Sequence, residues 1–471
     1  MIYDAIIVGA GPAGIFAALE LTRQHKKALI LDRGRLISQR HCPIMTGKTD
    51  HCVNCPSCAV VAGWGGAGSA SDGKLTVTTG FGGNLEEYVG KARLEQLIEE
   101  VDASFVAFGA DSAFYEPRGP EVADAIRRAA AAGIKVLPAK IRHIGTDASR
   151  EVLGAMYRHL KDKCEIRMET GVQSVLTYDG HAVGVRTDDG REFEGRSVIV
   201  APGRSGAAWL ESIIDEFKMP IDSMPVDIGV RVEVPDSVCE DLTRKFYEVK
   251  CIYNTPTFDD RVRTFCMNPS GFVVSEYDTA HRLVTANGHS LKHQRSQNTN
   301  FAILVTKNFT KPFTDPIGYA THIARLANML AGGGLLVQRL GDLKNGRRST
   351  PDRIARGMIQ QTGPAVPGDL SLVLPHRQMT DIIEFLDALN AIMPGVNQND
   401  TLLYGVEIKL YSLRVSLGGD MSAPGVKGLY LAGDGAGVSR GIVQAAASGL
   451  VAARSICDSS PTLTARRGSH E

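Results

Sequence analysis

Four cysteines crowd into one short stretch, first as Cys42-Pro and then as Cys52-Val-Asn-Cys55-Pro-Ser-Cys58, with His41 and His51 alongside. Two-residue gaps let neighbouring thiolates converge on one centre, so this spacing could wrap a [4Fe-4S] cluster or a tetrahedral zinc ion. A redox-active or structural dithiol, and plain buried thiols, read the same residues differently. A second pattern with chemistry in it is Gly9-Ala-Gly11-Pro-Ala-Gly14. A strand running through such a turn into a helix presents backbone N–H groups and a positive helix end to a pyrophosphate, because only glycine permits that turn and that approach. Asp32 lies eighteen residues beyond Gly14 at the end of the next apolar run, where a carboxylate can accept both hydroxyls of a ribose.

The elements that must position these groups follow from periodicity. Ile2 to Val8 and Ala28 to Leu31 read as strands flanking an apolar helix that ends near Gln24. From Arg33 to about Gly83 the pattern is irregular and rich in Cys, Gly, Ser and Thr, and a stretch this long without regular structure is usually functional or disordered. Helical patterns return at Leu85 to Phe105 and Pro120 to Ala132, and Thr146 and Asp147 read as the start of a helix carrying Val152, Met156 and Leu160. Residues 165 to 200 alternate like a β-meander that ends in Ser197-Val-Ile-Val-Ala-Pro-Gly203. A β-rich region from about 215 to 345 holds Asp227-Ile-Gly-Val-Arg-Val-Glu233 and a helix, Tyr319 to Leu330, closed by Gly332-Gly-Gly334. A last strand and helix, Gly428 to Asp434 and Gly441 to Ser455, return to nucleotide-fold grammar.

Composition bounds the function. Of 471 residues, 43% are hydrophobic and 22% charged, an ordinary globular balance with room for two or three domains. Fifty-two basic residues offset fifty-two acidic ones, so no overall field favours nucleic acid or an anionic membrane. No run reaches the roughly 18 apolar residues of a membrane span. The apolar stretch Ala5 to Phe16 is interrupted by glycines and lacks the basic flank of a signal peptide, so a cytoplasmic location is expected.

Leu429-Tyr-Leu-Ala-Gly433-Asp434, Gly435-Ala-Gly437 and the small-residue helix from Gly441 to Gly449 resemble the second FAD motif of the glutathione-reductase and para-hydroxybenzoate-hydroxylase superfamily. That resemblance implies that Asp434 holds the ribityl chain and that the backbone around Gly441, Ile442 and Val443 faces the flavin pyrimidine edge. Ile199-Val-Ala201-Pro-Gly203 is similar to the superfamily's Ala-Thr-Gly segment, with Pro202 in place of the usual Thr, and implies a backbone contact from Val172 to adenine. Gly63-Trp-Gly-Gly66-Ala67-Gly68 and Ser71-Asp72 resemble a segment that runs beside the pyrophosphate and isoalloxazine. With Gly9, Gly11, Pro12, Ala13, Gly14, Asp32 and Arg33, these form the expected FAD site. The implied fold is α/β: a discontinuous Rossmann-like FAD domain of the glutathione-reductase type at 1–84, 146–220 and 405–457, a second α+β substrate or cap domain at 85–145 and 221–404, and a tail from 458. Over nearly the whole chain, the cysteine motif, Asp227-Ile-Gly-Val-Arg231, Arg263-Thr-Phe-Cys266, Asn298-Thr-Asn300 and Tyr404-Gly-Val-Glu407-Ile-Lys409 resemble a large family of bacterial FAD-dependent dehydrogenases of mostly unassigned substrate.

The expectation is a flavin-dependent oxidoreductase that transfers hydride at flavin N5 to or from a small organic substrate, with reduction of an activated C=C bond favoured and dehydrogenation of an amine or hydroxy acid its competitor. Cys42, Cys52, Cys55 and Cys58 would relay single electrons to a carrier protein through an iron–sulfur cluster. Glu407, Lys409, Tyr404 and Arg348, with Arg347, His376 and Arg377, are candidates for gripping substrate or tuning flavin, and Cys266 is either an active thiol or an inert one. No second strand-linked Gly-x-Gly-x-x-Gly follows the first, so a nicotinamide would dock only transiently. Two other classes stay open: a flavin-containing protein that modifies tRNA or another nucleic acid, and a redox sensor with a cysteine switch.

Overall fold

The computed structural model describes residues 1–459 apart from 50, 51, 54, 72, 223, 224, 247, 279, 280, 291–293, 314, 411 and 412. His51 and Asp72, and nearly all of the expected tail, lie outside the described residues. The chain divides into two compact units, one of residues 1–112, 144–222 and 412–471, the other of 113–143 and 223–411.

The first unit is built on a five-stranded parallel sheet in the order Leu429–Leu431, Val198–Val200, Ala5–Val8, Ala28–Leu31, Glu165–Arg167. Four of these strands are continuous apolar runs buried at every residue, the signature of a sheet covered on both faces. The helix Pro12–Arg23 starts with proline in its first turn, where the missing N–H costs nothing. An antiparallel meander of Val172–Tyr178, His181–Thr187 and Glu192–Gly195 adds to the unit and pairs with the short N-terminal strand Ile2–Tyr3.

Two stretches differ from the sequence expectation. Residues 405–410, read as part of the FAD domain, belong to the second unit, because the strand Leu402–Lys409 pairs with Val226–Pro235 in that unit's sheet. Residues 85–112, read as part of the second domain, belong to the first unit. The reason is the helix Lys91–Ala107, which buries Leu94, Leu97, Ile98, Val101 and Phe105 in the same core as the parallel sheet and the helix Ile442–Ser459. Phe105 sets its ring 5.5 Å from that of Phe16.

The second unit holds an eight-stranded sheet in the order Ala365–Pro367, Leu335–Arg339, Leu402–Lys409, Val226–Pro235, Asn298–Lys307, Arg261–Asn268, Lys250–Asn254, Lys135–Leu137. Val226, Ile228, Val230, Val232 and Val234 alternate along the central strand and join the helices Asp236–Phe246, Pro316–Leu330 and His376–Leu389 in a separate core. Asp315 caps the second of these helices by accepting from the Gly318 N–H at 2.7 Å, and Gly332 and Gly333, both at positive φ, stop it as expected. Among the described residues no helix is long and apolar enough to cross a membrane.

Phe385 is fully buried in this second core and stacks on Tyr253 at 5.5 Å. Phe385→Ala leaves a cavity that the packed helices cannot close, and a loss of about 3–5 kcal/mol is expected, read as a lower urea midpoint.

Candidate functional site

The geometry of the first unit begins at Gly9. Its φ is +108°, and a Cβ there would lie 2.1 Å from the Ala201 carbonyl oxygen, so the middle strand's end closes directly on the glycine turn. A Cβ at Gly14 would stop 1.9 Å from the Gly9 carbonyl oxygen, so only glycine lets the helix Pro12–Arg23 leave the sheet at this angle. Three more stretches come to the same helix start. A Cβ built on Gly66 would sit 3.1 Å from the Cα of Gly11, one on Gly68 would meet Pro12 at 3.6 Å and Ile442 at 3.4 Å, and one on Gly433 would meet the Cβ of Ala13 at 3.2 Å. Gly203 and Gly435 are likewise in backbone contact. Residues up to 430 positions apart in sequence thus surround one helix N-terminus.

Asp32 sits at the end of its strand with both carboxylate oxygens engaged: Ala10 N–H donates to Oδ2 and Gly34 N–H to Oδ1, each at 2.7 Å. Those contacts fix the carboxylate beside the glycine turn and leave further lone pairs for ribose hydroxyls. Arg33 reaches across to the Ser205 carbonyl at 2.8 Å, and Val172 is buried at the head of its strand. Ala67 lies within the single turn Gly66–Ala70, which Ser71 closes by donating its hydroxyl to the Gly68 carbonyl at 2.8 Å. Asp434 accepts from the Ser439 hydroxyl at 2.6 Å. The helix Ile442–Ser459 begins just beyond, with Val443 buried in its first turn.

The cysteine segment is ordered by something the spacing did not disclose. Arg40 is buried and its guanidinium donates to the carbonyls of Ala59, Val60 and Trp64 at 2.9, 2.7 and 2.8 Å. Burial lowers its pKa to about 10 against the opposing charges of Asp32 and Cys58. The Trp64 indole donates to the Leu153 carbonyl at 2.8 Å and is fully buried. Cys42 and Cys58 each head a local turn, their carbonyls taken by Thr46 N–H and by Val61 and Ala62 N–H. The expected four-thiol centre is therefore not formed: among the described residues no group of three or more Cys, His, Asp or Glu side chains is placed to hold a metal ion.

A pocket beside this segment is lined by Arg33, Pro56, Ser57 and two stretches, residues 169–171 and 187–189. It adjoins the strand head of Val172 and the residue after Asp32, so it lies on the side of the ribose carboxylate.

In the second unit the sheet face opposite the apolar core is polar and buried. Asp227, Arg231 and Glu233 alternate with the valines of their strand, and the register sets Gly229 against Glu407, Arg231 against Tyr404, and Glu233 against Asn300. Arg231 and Glu407, both fully buried, pair at 3.3 Å. Arg231 also donates to Asn300 Oδ1 at 2.8 Å and to the Cys266 carbonyl at 2.7 Å. Lys409 lies 3.3 Å from both Glu407 and Glu276. Tyr404 donates to Glu233 at 2.5 Å, and burial together with that carboxylate holds its phenol well above the ordinary value. Gly288, from the hairpin of Phe272–Asp278 and Leu283–His289, closes over the network so tightly that a Cβ would lie 1.9 Å from the Arg231 guanidinium. Two buried atoms here have no hydrogen-bond partner, Asn300 Nδ2 and Glu407 Oε1.

Of the predicted substrate-side residues, Tyr404, Glu407 and Lys409 share this face. Arg348 does not join them and is exposed after the helix Leu340–Lys344. Arg347 is paired with Asp342 at 2.8 Å, Arg377 forks onto Asp260 at 2.6 and 2.9 Å, and His376 lies edge-on to Phe258. Those three are structural contacts. Arg231, Glu233 and Asn300 were not singled out as site residues, although the polar and β-branched alternation in 227–233 was the available sign of a strand buried on both faces. Cys239 and Cys251 are buried thiols, pushed up to about 12.

Residues 225–410 match the family model described as FAD-dependent protein, C-terminal domain-like. An uncharacterized protein from Clostridium beijerinckii is 26% identical, over 96% of this chain and 80% of its own length. Solved structures that match include glycine oxidase from Bacillus cereus, at 13% identity over 96% of this chain and 94% of that one with a TM-score of 0.38. L-amino acid deaminase from Proteus vulgaris matches at 12% identity over 98% and 95% with a TM-score of 0.40. Likenesses this distant carry no argument about substrate or reaction.

Two substitutions test the geometry. Gly9→Ala forces the strand end off the turn and is expected to abolish dinucleotide retention in a purified, folded protein, checked by absorbance at 450 nm beside a circular-dichroism spectrum. Glu407→Gln leaves the Arg231 guanidinium buried without its counter-charge, a loss of about 3–5 kcal/mol, checked by urea denaturation. Glu407→Met combined with Arg231→Met is expected to recover part of that loss.

Proposed function

We infer that this chain is an FAD-dependent oxidoreductase whose first unit holds one FAD and whose second unit supplies the substrate-binding face. The observation that carries this reading is the gathering of the glycine turn at 9–14, the Gly66–Ala70 turn, the strand end at Ala201 and Gly433 around the N-terminus of a single helix. The residues present fit the cofactor. Backbone amides at the start of Pro12–Arg23 face the pyrophosphate, Asp32 takes the ribose hydroxyls, Asp434 takes the ribityl chain with Ser439 holding its other oxygen, and the positive end of Ile442–Ser459 stabilises negative charge on the reduced ring. When bound, FAD exchanges a hydride at N5 with a small organic substrate.

On the second unit's polar face, Asn300 Nδ2 offers a donor without a partner, beside a Glu407 whose Oε1 is ion-paired with the Lys409 ammonium at 3.3 Å. A small molecule carrying a hydrogen-bond acceptor satisfies that donor, and a site that leaves a buried polar group open rejects analogues lacking the matching group. Arg231 and Lys409 hold Glu407 in place from two sides, each at 3.3 Å. This arrangement supports a hydroxy- or amino-bearing substrate over the activated C=C bond, for which no described residue speaks. Among the described residues no group of three or more side chains is placed to hold the cluster of an iron–sulfur relay, so the reading does not use one.

The test is a visible spectrum, flavin content and metal and sulfide analysis on protein purified without oxygen, followed by anaerobic mixing with hydroxy acids, amino acids, NADH and NADPH. About one FAD per chain, iron well below stoichiometry and bleaching by a hydroxy or amino substrate are expected. Protein free of flavin would sink the reading. Four irons with four sulfides would restore the cluster, and bleaching by nicotinamide alone would make the chain a reductase.

A further inference from the structure

Pro56 and Ser57, the two residues between Cys55 and Cys58, are the part of the cysteine segment that lines the pocket beside Arg33 and Gly171. Resting on the FAD reading above, that pocket lies at the adenosine end of the cofactor, since Arg33 follows the ribose carboxylate Asp32 and Gly171 precedes Val172. The base of the segment is fixed. A Cβ on Gly34 would lie 2.3 Å from the Gly63 nitrogen, Trp64 N–H donates to the Arg35 carbonyl at 3.0 Å, and Arg40 holds three carbonyls between Ala59 and Trp64. A change at Cys55 or Cys58 is therefore expressed at the tip, where the pocket wall is, because the base cannot give. Cys55 is exposed and Cys58 half-buried, so one thiol is open to a reagent in solution and the other follows it three residues on, just past the two wall residues.

We propose that Cys55 and Cys58 form a dithiol that small-molecule disulfides oxidise, and that the resulting bridge draws Pro56 and Ser57 off the pocket wall and releases FAD. In the step, one cysteine thiolate attacks the reagent's S–S bond and expels one thiol. The second cysteine then attacks the mixed disulfide and expels the other. Two thiols and R–S–S–R become one Cys55–Cys58 bridge and two R–SH, the electron pair passing to the reagent and the two protons to its thiols. A disulfide confines its Cα atoms to about 4.4–6.8 Å, which fixes the backbone of Pro56 and Ser57 in a ring closed at both ends. Any displacement of those residues from the wall seen in the reduced chain opens the adenosine side.

The experiment uses the purified holoprotein, its FAD content measured first. It is treated with oxidised glutathione, the bridge is mapped by peptide mass spectrometry, and FAD release is followed as flavin fluorescence after dilution. Release about tenfold faster than from untreated protein, reversed by dithiothreitol, is expected, with Cys457→Ser behaving as the parent. Cys55→Ser and Cys58→Ser are each expected to release FAD at one rate with or without treatment. A mapped Cys55–Cys58 bridge with unchanged release overturns the proposal, as does failure of the bridge to form, or faster release that persists in either serine variant. Protein without FAD before treatment overturns the flavin reading itself, and the initial FAD content separates that failure from the others.

Discussion

The closeness of backbones at the start of the helix Pro12–Arg23 is the constraint on which the first unit depends. Gly9 lies against the Ala201 carbonyl, Gly14 against the Gly9 carbonyl, and a Cβ on Gly449 would sit 2.0 Å from the Ala13 carbonyl. None of these contacts survives a side chain. With them in place, the C-terminal helix Ile442–Ser459 packs along Pro12–Arg23, and the Gly66–Ala70 turn is drawn to Gly11. The peptide amides at the helix start are then the nearest polar groups to whatever occupies the space, and their partial positive charge selects a phosphate. Fold and ligand preference are in this sense one fact, because the glycines that allow the packing also uncover the amides.

The second unit solves the reverse problem. Its central strand is buried on both sides, apolar toward the helices and ionic toward the hairpin. An ion pair taken wholly out of water is seldom a net source of stability, since desolvation offsets most of its attraction. Arg231 and Glu407 are kept in such a place at a cost that two hydrogen bonds from Arg231, to Asn300 and to the Cys266 carbonyl, and the Lys409 ammonium beside Glu407 only partly offset, and Asn300 Nδ2 is left open. A structural role would have been served as well by hydrophobic residues of the same volume.

How much of this was legible in the sequence depended on how local the cause was. The glycine turn and Asp32 were readable because their requirements are met within one strand, one turn and one helix. Asp434 and Ala201 came from motif resemblance, since nothing local says that chain segments hundreds of residues apart will meet. The helix Lys91–Ala107 was visible as an amphipathic stripe, but a stripe does not name the core it covers, and it was placed in the wrong unit. Arg231 and Glu233 were hidden because polar residues alternating with valine look the same on a solvated face and on a buried one. Arg348 erred the opposite way, a charged residue whose exposure no pattern could settle.

The cysteine segment shows where spacing stops being informative. Two-residue gaps state that thiols can meet, and only the rest of the fold states whether they do. Here a single buried arginine takes the carbonyls of Ala59, Val60 and Trp64 at the segment's end. The segment is thereby tied to the strand end that carries Asp32, and its tip, Pro56 and Ser57, becomes wall to a pocket. A dithiol placed there acts on the hold over a ligand, through position, and needs no share in the path of electrons.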